Sequence, residues 1–330
     1  MLALQGSPDY KRSLQPSGYE TLYMVADLHA ITTPYDRTKL RAQVREVVLD
    51  YLAAGLDPEK SAIFIQSDLA DLHAQLAYYL STVVTIARMQ HLPTYKEKVK
   101  EFPKANTMAL LNYPVLMAAD ILVYQAGLVP VGIDQEPHLE IAREIARKMN
   151  SEYGTHFPEP QRFATKGEYV PSLTGEGKMS KSVEGSFINL TDDLKTIKTK
   201  LAKVPTDSGH GYIKHGIYLS STSLHGDGKV KNVAPSGGVK TLMILVELFQ
   251  GNERRKECDK QYISVGVKYS ELKEELANAI YEELKPIQEK RRQLQKDKKY
   301  IDKVLAGGAK KARKIAQETI AEVKAKMGLS

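Results

Sequence analysis

The chain has 330 residues, of which 42% are hydrophobic and 26% charged, and this composition excludes fibrous and wholly disordered classes of protein. The length favours two domains, and the formal charge of +7 favours a polyanionic partner without requiring one. The single cysteine excludes a disulfide framework and a structural zinc site. Because no apolar stretch has the length of a signal peptide core or a membrane span, we expect a cytoplasmic protein.

The first half of the chain alternates strand patterns with helix patterns. Strands are predicted at 21–26, 62–67 and 128–134, and helices at 36–55, 69–89, 114–125 and 138–150. The segment between the second and third helices, "PTYKEKVKEFPK", is predicted to be a basic loop. Such alternation predicts a parallel sheet covered by helices on both faces, which is a doubly wound α/β fold.

The second half is patterned almost entirely as helix. A helix is predicted within 190–204 with Thr191 as its N-cap, and residues 206–238, rich in Gly, Ser and His, are predicted to form a loop or linker. From residue 239 onwards we expect helices with breaks at Gly251, Pro286 and the pair Gly307-Gly308. The predicted domains are an α/β domain at 1–190 and a helical domain at 191–330.

The stretch Gly177 to Ser182, "GKMSKS", brings two ammonium groups and two hydroxyls together. Ammonium groups are point charges suited to phosphate, so this loop is a candidate clamp for a nucleoside triphosphate. The chain contains no P-loop and no GxGxxG motif, so a nucleotide would have to be held by another device. A solvated turn has the same composition, and composition alone leaves both interpretations open.

Another candidate site lies in "NYPVLMAADILVYQ", where Tyr113, Met117 and Asp120 share one helix face. A carboxylate within an apolar run is costly unless it is paired or accepts a hydrogen bond from a ligand. This face therefore suits an aromatic ligand with an N–H or O–H to donate. The alternative, an Asp of the core paired with a local Arg or the backbone, is equally compatible with the pattern.

Polar residues follow the predicted strands at their carboxyl ends, where open α/β sheets bind ligands. Gly132, Asp134 and Gln135 follow the third strand, and Pro137 opens the next helix. A plain turn between a strand and a helix uses the same residue types. Three further polar residues follow the first two strands, namely Asp27, His29 and Gln66. They are candidates for substrate contacts or for helix caps.

The string GKMSKS resembles the signature loop of class I aminoacyl-tRNA synthetases, which have a Rossmann-like catalytic domain and a helical anticodon-binding domain. This resemblance implies that Lys178, Ser180 and Lys181 are catalytic, because they stabilise the phosphates of ATP while an amino acid carboxylate attacks. Magnesium would accompany ATP, and no protein-bound metal is implied. The implied ATP-binding residues are Lys96, Gly132, Asp134, Lys178, Met179, Ser180, Lys181 and Ser182.

The segments "YPVLMAADILVYQ" and "LVPVGIDQEPHLEIAREIARKMN" resemble the tryptophanyl-tRNA synthetase family nearly residue for residue. In that family the Met and Asp of MAAD contact the indole, which implies that Met117 and Asp120 bind tryptophan, together with Tyr113 and Gln135. The implied activity is ATP-dependent formation of tryptophanyl-adenylate followed by transfer to tRNA. The alternatives are a tyrosine-specific relative and a non-catalytic paralogue that binds tRNA or an amino acid.

The resemblance also implies a homodimer and a tRNA partner. Basic residues that could neutralise tRNA phosphates are Arg291, Arg292, Lys296, Lys298 and Lys299. One departure concerns the beginning of the chain, where the His-x-Gly-His-like signature and its strand are not found. We therefore expect an N-terminally shortened form whose exposed sheet edge gives a poorly stable monomer or pairs with another chain.

Overall fold

A computed structural model describes residues 19–163, 169–180, 183–207, 211–214, 217–220, 235–263 and 266–329. The chain forms two compact units. Within the described residues, the sheet unit consists of 19–163 and 293–329, and the helical unit consists of 169–292. This division differs from the predicted domains, because the last part of the chain returns to the sheet unit.

Strands and helices alternate in the sheet unit. Its elements are β1 (Thr21–Val25), α1 (Asp27–Ala30), α2 (Leu40–Ala53), β2 (Ser61–Ile65), α3 (Ala70–Ser81), α4 (Ile86–Gln90), α5 (Pro93–Glu101), α6 (Met108–Leu122), β3 (Leu128–Val129), α7 (Glu136–Tyr153), β4 (Gln161–Arg162) and α12 (Lys298–Lys326). Strand β1 pairs in parallel with β2, and β3 pairs in parallel with β4. The predicted α/β fold class is confirmed.

Two predictions in this unit are wrong. The segment expected to be a basic loop forms α5, because Pro93 occupies the first turn of a helix, where a missing N–H costs nothing. The helix expected at 69–89 is interrupted after α3, and α4 begins anew with the Thr85 side chain accepting a hydrogen bond from the Arg88 N–H.

The last helix, α12, packs directly on β2. A Cβ atom at Gly308 would collide with the backbone of Ile63, so only glycine permits this approach. The break predicted at Gly307-Gly308 is therefore wrong, since both glycines lie inside the helix. Periodicity identifies α12 as a helix but gives no information about the element it covers.

The helical unit consists of α8 (Leu194–Ala202), the antiparallel hairpin of β5 (Gly211–Lys214) and β6 (Ile217–Ser220), α9 (Gly237–Gln250), α10 (Asn252–Ile263) and most of α11 (Tyr269–Lys296). The hairpin corrects the prediction that 206–238 is entirely loop. The N-cap of α8 is Asp193 rather than Thr191, because the Asp193 carboxylate accepts the Thr196 N–H at 2.7 Å. Gly251 separates two helices as predicted, whereas Pro286 lies within α11.

Candidate active site

Asp120 is the centre of a buried polar cluster, and its side chain is 8% exposed. Its Oδ1 atom accepts hydrogen bonds from Gln66 Nε2 at 2.7 Å and from His73 Nδ1 at 2.6 Å. Its Oδ2 atom accepts one from His29 Nε2 at 2.7 Å, and Tyr124 extends the cluster through a 2.7 Å bond to His73 Nε2. Donors from three segments of the sheet unit, namely α1, the turn after β2, and α3, thus converge on one carboxylate of α6.

The Asp120 carboxyl is ionised in this setting. Burial by itself would raise its pKa, but the hydrogen bonds from His29 and His73 outweigh burial and hold the pKa below its ordinary value of 3.8. Burial, with the nearby Asp120 charge, raises the pKa of Tyr124, so this phenol keeps its proton. Asp120 is thus paired within the protein, as the alternative required, but its partners are two histidines and a glutamine rather than a local Arg or the backbone.

Residues at the ends of β1 and β2 connect this cluster to the strands. The Leu28 N–H donates to Gln66 Oε1 at 3.0 Å, which fixes the orientation of that amide. The Asp27 carboxylate accepts from the N–H and hydroxyl of Ser67, at 2.9 and 2.5 Å, and thereby ties the two strand ends together. Asp27 therefore caps the turn that follows β2, whereas His29 and Gln66 contact Asp120.

A second polar group lies around Tyr113 on the same helix, α6. The Tyr113 hydroxyl lies 2.7 Å from His138 Nε2 and 2.9 Å from Thr94 Oγ1. Burial raises the pKa of Tyr113 and, with the charge of His29, lowers the pKa of His138, so both groups are neutral near pH 7. Tyr113 and Met117 are half-buried at the edge of the core, beside Asp120.

The residues predicted to bind ATP in this unit are more exposed. Gly132 precedes a single 3₁₀ turn, Ile133–Gln135, that leads into α7. Gln135 Nε2 donates to Asp134 Oδ2 at 3.0 Å, and Asp134 is exposed. Lys96 is exposed on α5. The binding roles predicted for these residues stay predictions.

In the helical unit, the predicted signature loop begins as a short hairpin, which we call the signature hairpin (170–180). The Met179 N–H donates to the Val170 carbonyl at 2.8 Å, and the Ser172 N–H donates to the Gly177 carbonyl at 3.0 Å. Lys178 is exposed, Ser180 is half-buried, and Met179 packs against the core of the helical unit. The predicted residues Lys181 and Ser182 lie outside the described residues.

Sequence reasoning missed four members of these clusters, namely His73, Tyr124, Thr94 and His138. The available signal was their position: His73 lies with Leu72 and Leu76 on the buried face of α3. A polar residue within such an apolar stripe needs a buried partner. Asp120, within the apolar run of α6, presents the same need, but a single sequence does not show that the two residues meet.

Two kinds of feature are absent from the described residues. No helix within the described part of the chain is long and apolar enough to cross a membrane. Among the same residues, no group of three or more His, Cys, Asp or Glu side chains is arranged to hold a metal ion.

Comparisons with known proteins agree with this architecture. The family model for class I tRNA synthetases (W and Y) matches residues 9–285. The tryptophan–tRNA ligase of Porphyromonas gingivalis is 36% identical over 309 residues, covering 93% of this chain and 88% of that protein. The Clostridium acetobutylicum tryptophan–tRNA ligase is 38% identical over 315 residues, with coverages of 94% and 88%.

A solved structure gives the same result. The crystal structure of tryptophanyl-tRNA synthetase from Campylobacter jejuni, complexed with ADP and tryptophan, matches with a TM-score of 0.77 at 30% identity. The match covers 98% of this chain and 94% of that one. The chain therefore belongs to the class I tRNA synthetases of the tryptophan and tyrosine family. Its relatives at this similarity are tryptophan–tRNA ligases, so the predicted resemblance and the prediction of an enzyme are confirmed.

Proposed function

We propose that this chain activates L-tryptophan with ATP and transfers it to tRNA. The observation that carries the proposal is the ionised, buried Asp120, which lies beside half-buried Tyr113 and Met117 on one face of α6. On this face, the Asp120 carboxylate can accept a hydrogen bond from an indole N–H, and the Met117 thioether can contact the ring. Tyr113 adds a hydroxyl group. The similarity to tryptophan–tRNA ligases supports the choice of amino acid.

In the proposed reaction, an oxygen of the tryptophan carboxylate attacks the α-phosphorus of ATP, and pyrophosphate leaves. Because an anion attacks an anion, cations placed in advance near the departing phosphates lower the barrier. Lys178 and Lys181 would supply this charge, with Ser180 and Ser182 as hydroxyl donors and Met179 anchoring the hairpin. Magnesium would enter with ATP as part of the substrate.

The remaining predicted residues, all in the sheet unit, are proposed contacts of the two small substrates. Tyr113 and Gln135 would bind tryptophan, with Gln135 at its ammonium group, while Gly132, Asp134 and Lys96 would contact ATP. The ADP and tryptophan in the Campylobacter jejuni structure support these two ligand classes.

The proposed tRNA partner needs an exposed basic surface. Arg292, Lys296, Lys298 and Lys299 are exposed, as phosphate contacts must be. Arg291 is only 8% exposed, so its prediction as a phosphate contact is wrong. Its position on the buried face of α11 explains the difference. We propose a cytoplasmic setting, which a single buried cysteine suits.

The proposed homodimer is supported by an apolar surface on the sheet unit. A cavity of about 380 Å³ is lined by residues of α3, α4, α6 and the segment between α3 and α4, including Val84 and Val115. Two of its lining residues, Ile86 and Met108, are 64% and 72% exposed. Exposed apolar side chains around a cavity are typical of a protein interface. Light scattering should give twice the chain mass, and Met108→Glu should shift it to the monomer mass.

The decisive experiment is ATP–pyrophosphate exchange dependent on an added amino acid, measured with tryptophan and with tyrosine. We expect exchange with tryptophan, followed by tryptophan attachment to tRNA. Exchange with tyrosine alone would favour the tyrosine-specific alternative. Tryptophan binding without any exchange would favour the non-catalytic alternative. A Lys181→Ala variant should lose most of the exchange activity, and full activity would contradict the role of this lysine.

A further inference from the structure

We propose that His73 is a positioning residue for specificity, which orients Asp120 so that Oδ2 reads the indole N–H. This inference rests on the proposed function, because it assumes that tryptophan occupies the site beside Asp120. It assigns different roles to the two oxygens of one carboxylate. Oδ1 is anchored by protein, and Oδ2 is the atom available to a ligand.

The anchoring of Oδ1 is complete and buried. Its donors, His73 and Gln66, are both 0% exposed. Because an ionised carboxylate can only accept, His73 Nδ1 must carry its hydrogen, and the bond of 2.6 Å is charge-assisted. Gln66 cannot rotate its amide freely, because its Oε1 already accepts the Leu28 N–H. Two fixed donors on one oxygen hold the carboxylate plane.

His73 is itself held at its far end. The Tyr124 hydroxyl lies 2.7 Å from His73 Nε2, and the raised pKa of Tyr124 keeps the phenol protonated. The chain of contacts from Tyr124 through His73 to Asp120 therefore fixes both the ring and the carboxylate. Removing a member of such a buried chain frees the next group to reorient.

The surroundings of Oδ2 are different. In the described part of the chain, its contact is His29 Nε2, and the His29 side chain is 24% exposed on the four-residue helix α1. A carboxylate oxygen has two acceptor sites, so an indole N–H can join His29 or replace it. Among the described residues, Oδ2 is the oxygen whose partner is partly exposed, whereas both partners of Oδ1 are fully buried.

This division of roles makes a specific prediction about substrates. A site built to accept an N–H rejects an analogue that lacks one, because the buried acceptor is then left unpaired. The analogue 3-benzothienylalanine has sulfur in place of the indole N–H and nearly the same shape. If His73 orients Oδ2, the preference for tryptophan over this analogue depends on the His73 donor.

The test compares four proteins: the unaltered chain, His73→Leu, His73→Asn and Leu80→Ala. Asparagine places its amide nitrogen near the position of Nδ1, so it can still donate to Asp120, whereas leucine cannot. Leu80 is fully buried near the other end of the same helix, seven positions from His73, so its truncation measures loss of packing alone. For each protein, kcat and KM in pyrophosphate exchange are measured with tryptophan and with the analogue.

A binding measurement accompanies the kinetics. The chain contains no tryptophan, so the fluorescence of the bound amino acid reports its own affinity directly, and the analogue can be titrated as a competitor. We expect His73→Leu to reduce the preference for tryptophan by about ten-fold or more, mainly through KM. His73→Asn should restore most of this preference, and Leu80→Ala should leave the ratio unchanged while lowering thermal stability.

Failure of this inference is distinguishable from failure of the proposed function. If the unaltered chain neither binds nor activates tryptophan, both are overturned. If it does and His73→Leu retains the same preference ratio, only the role of His73 is overturned. Equal loss of the ratio in His73→Asn and His73→Leu would also overturn it, as would equal loss in Leu80→Ala. If His73→Leu fails to fold, His73→Asn is compared with Gln66→Leu, which removes the other Oδ1 donor. The inference then requires His73→Asn to keep the preference for tryptophan. Loss of this preference in His73→Asn, with full preference in Gln66→Leu, overturns the inference.

Discussion

The Asp120 cluster and the signature hairpin hold their charged groups in opposite surroundings. Asp120 is buried and accepts hydrogen bonds from donors on several elements, whereas Lys178 is exposed on the signature hairpin, directly after Gly177. In the cluster, the same hydrogen bonds support both folding and the proposed recognition of indole. In the hairpin, the proposed phosphate contacts need a cation on an exposed loop. Substitutions in the Asp120 cluster should therefore reduce stability and function together. Substitutions in the signature hairpin should be able to reduce one without the other.

The largest effect on stability is expected from Asp120→Ala. This change leaves the buried donors of His73 and Gln66 without an acceptor, and we expect the free energy of unfolding to fall by about 3–5 kcal/mol. Tryptophan binding should disappear as well. Urea unfolding gives the first quantity, and fluorescence of the bound amino acid gives the second.

The control for this variant is Asp71→Ala, which breaks the exposed ion pair with Arg313 in the same unit. An exposed pair contributes at most about 1 kcal/mol, so this variant should remain close to the unaltered chain. If both variants lose the same free energy of unfolding, the buried Asp120 cluster contributes no more to stability than an exposed ion pair, which would contradict this prediction.

An intermediate effect is expected from Gly175→Ala in the signature hairpin. Gly175 has φ +88°, and a Cβ atom there would lie 2.6 Å from the backbone nitrogen of Gly238. We expect a loss of about 3 kcal/mol, because strain and a backbone collision combine. Gly177→Ala is the matched variant: its φ is +71° but the space is open, so about 1 kcal/mol is expected. Thermal unfolding that ranks Gly177→Ala as the more damaging change would refute this account.

Acidification should weaken the buried region through Asp120. Because its folded pKa lies below the ordinary value of 3.8, the carboxylate stabilises the fold fully above that value. This stabilisation is lost as pH falls through the folded pKa. Unfolding measured from pH 6 downwards should show the unaltered chain losing its advantage over Asp120→Ala only below about pH 4. An advantage lost near neutral pH would point to the histidines instead.

The smallest effect on stability is expected from Lys178→Ala. The side chain is exposed, so the free energy of unfolding should change by no more than about 0.5 kcal/mol. Pyrophosphate exchange should nevertheless fall by roughly 100-fold, as removal of a charge that stabilises a transition state does. Lys195, exposed on α8, provides the control: Lys195→Ala should alter neither quantity. Full exchange activity in Lys178→Ala would remove this lysine from the mechanism.

Patterns within one element were predicted well. The periodicity of 36–55 indicates α2, and the spacing of Tyr113, Met117 and Asp120 gives a shared face of α6. The alternation of strands and helices indicates a parallel sheet, because that order leaves few other arrangements. These predictions succeed since they depend on neighbours in sequence.

Contacts between distant elements were not predicted. His73 and Asp120 are 47 positions apart, and neither local pattern specifies the other as its partner. Arg291 carries the same charge as Arg292, yet the rotation of α11 buries one and exposes the other. Gly308 would break an isolated helix, but packing on β2 outweighs its low helix propensity. In each case the outcome depends on what lies across an interface.

The close approach of α12 to β2 has a consequence for biosynthesis. A ribosome makes β2 long before it makes the helix that covers it, whereas residues 169–292 are synthesised as one continuous stretch. The helical unit can therefore begin to fold on the nascent chain while the sheet unit still exposes an apolar face. Domains usually fold in the order of their synthesis. In this chain, synthesis of the sheet unit begins first and is completed last. Strand β2 therefore stays uncovered until α12 has been made, and we expect a chaperone to bind it during that time.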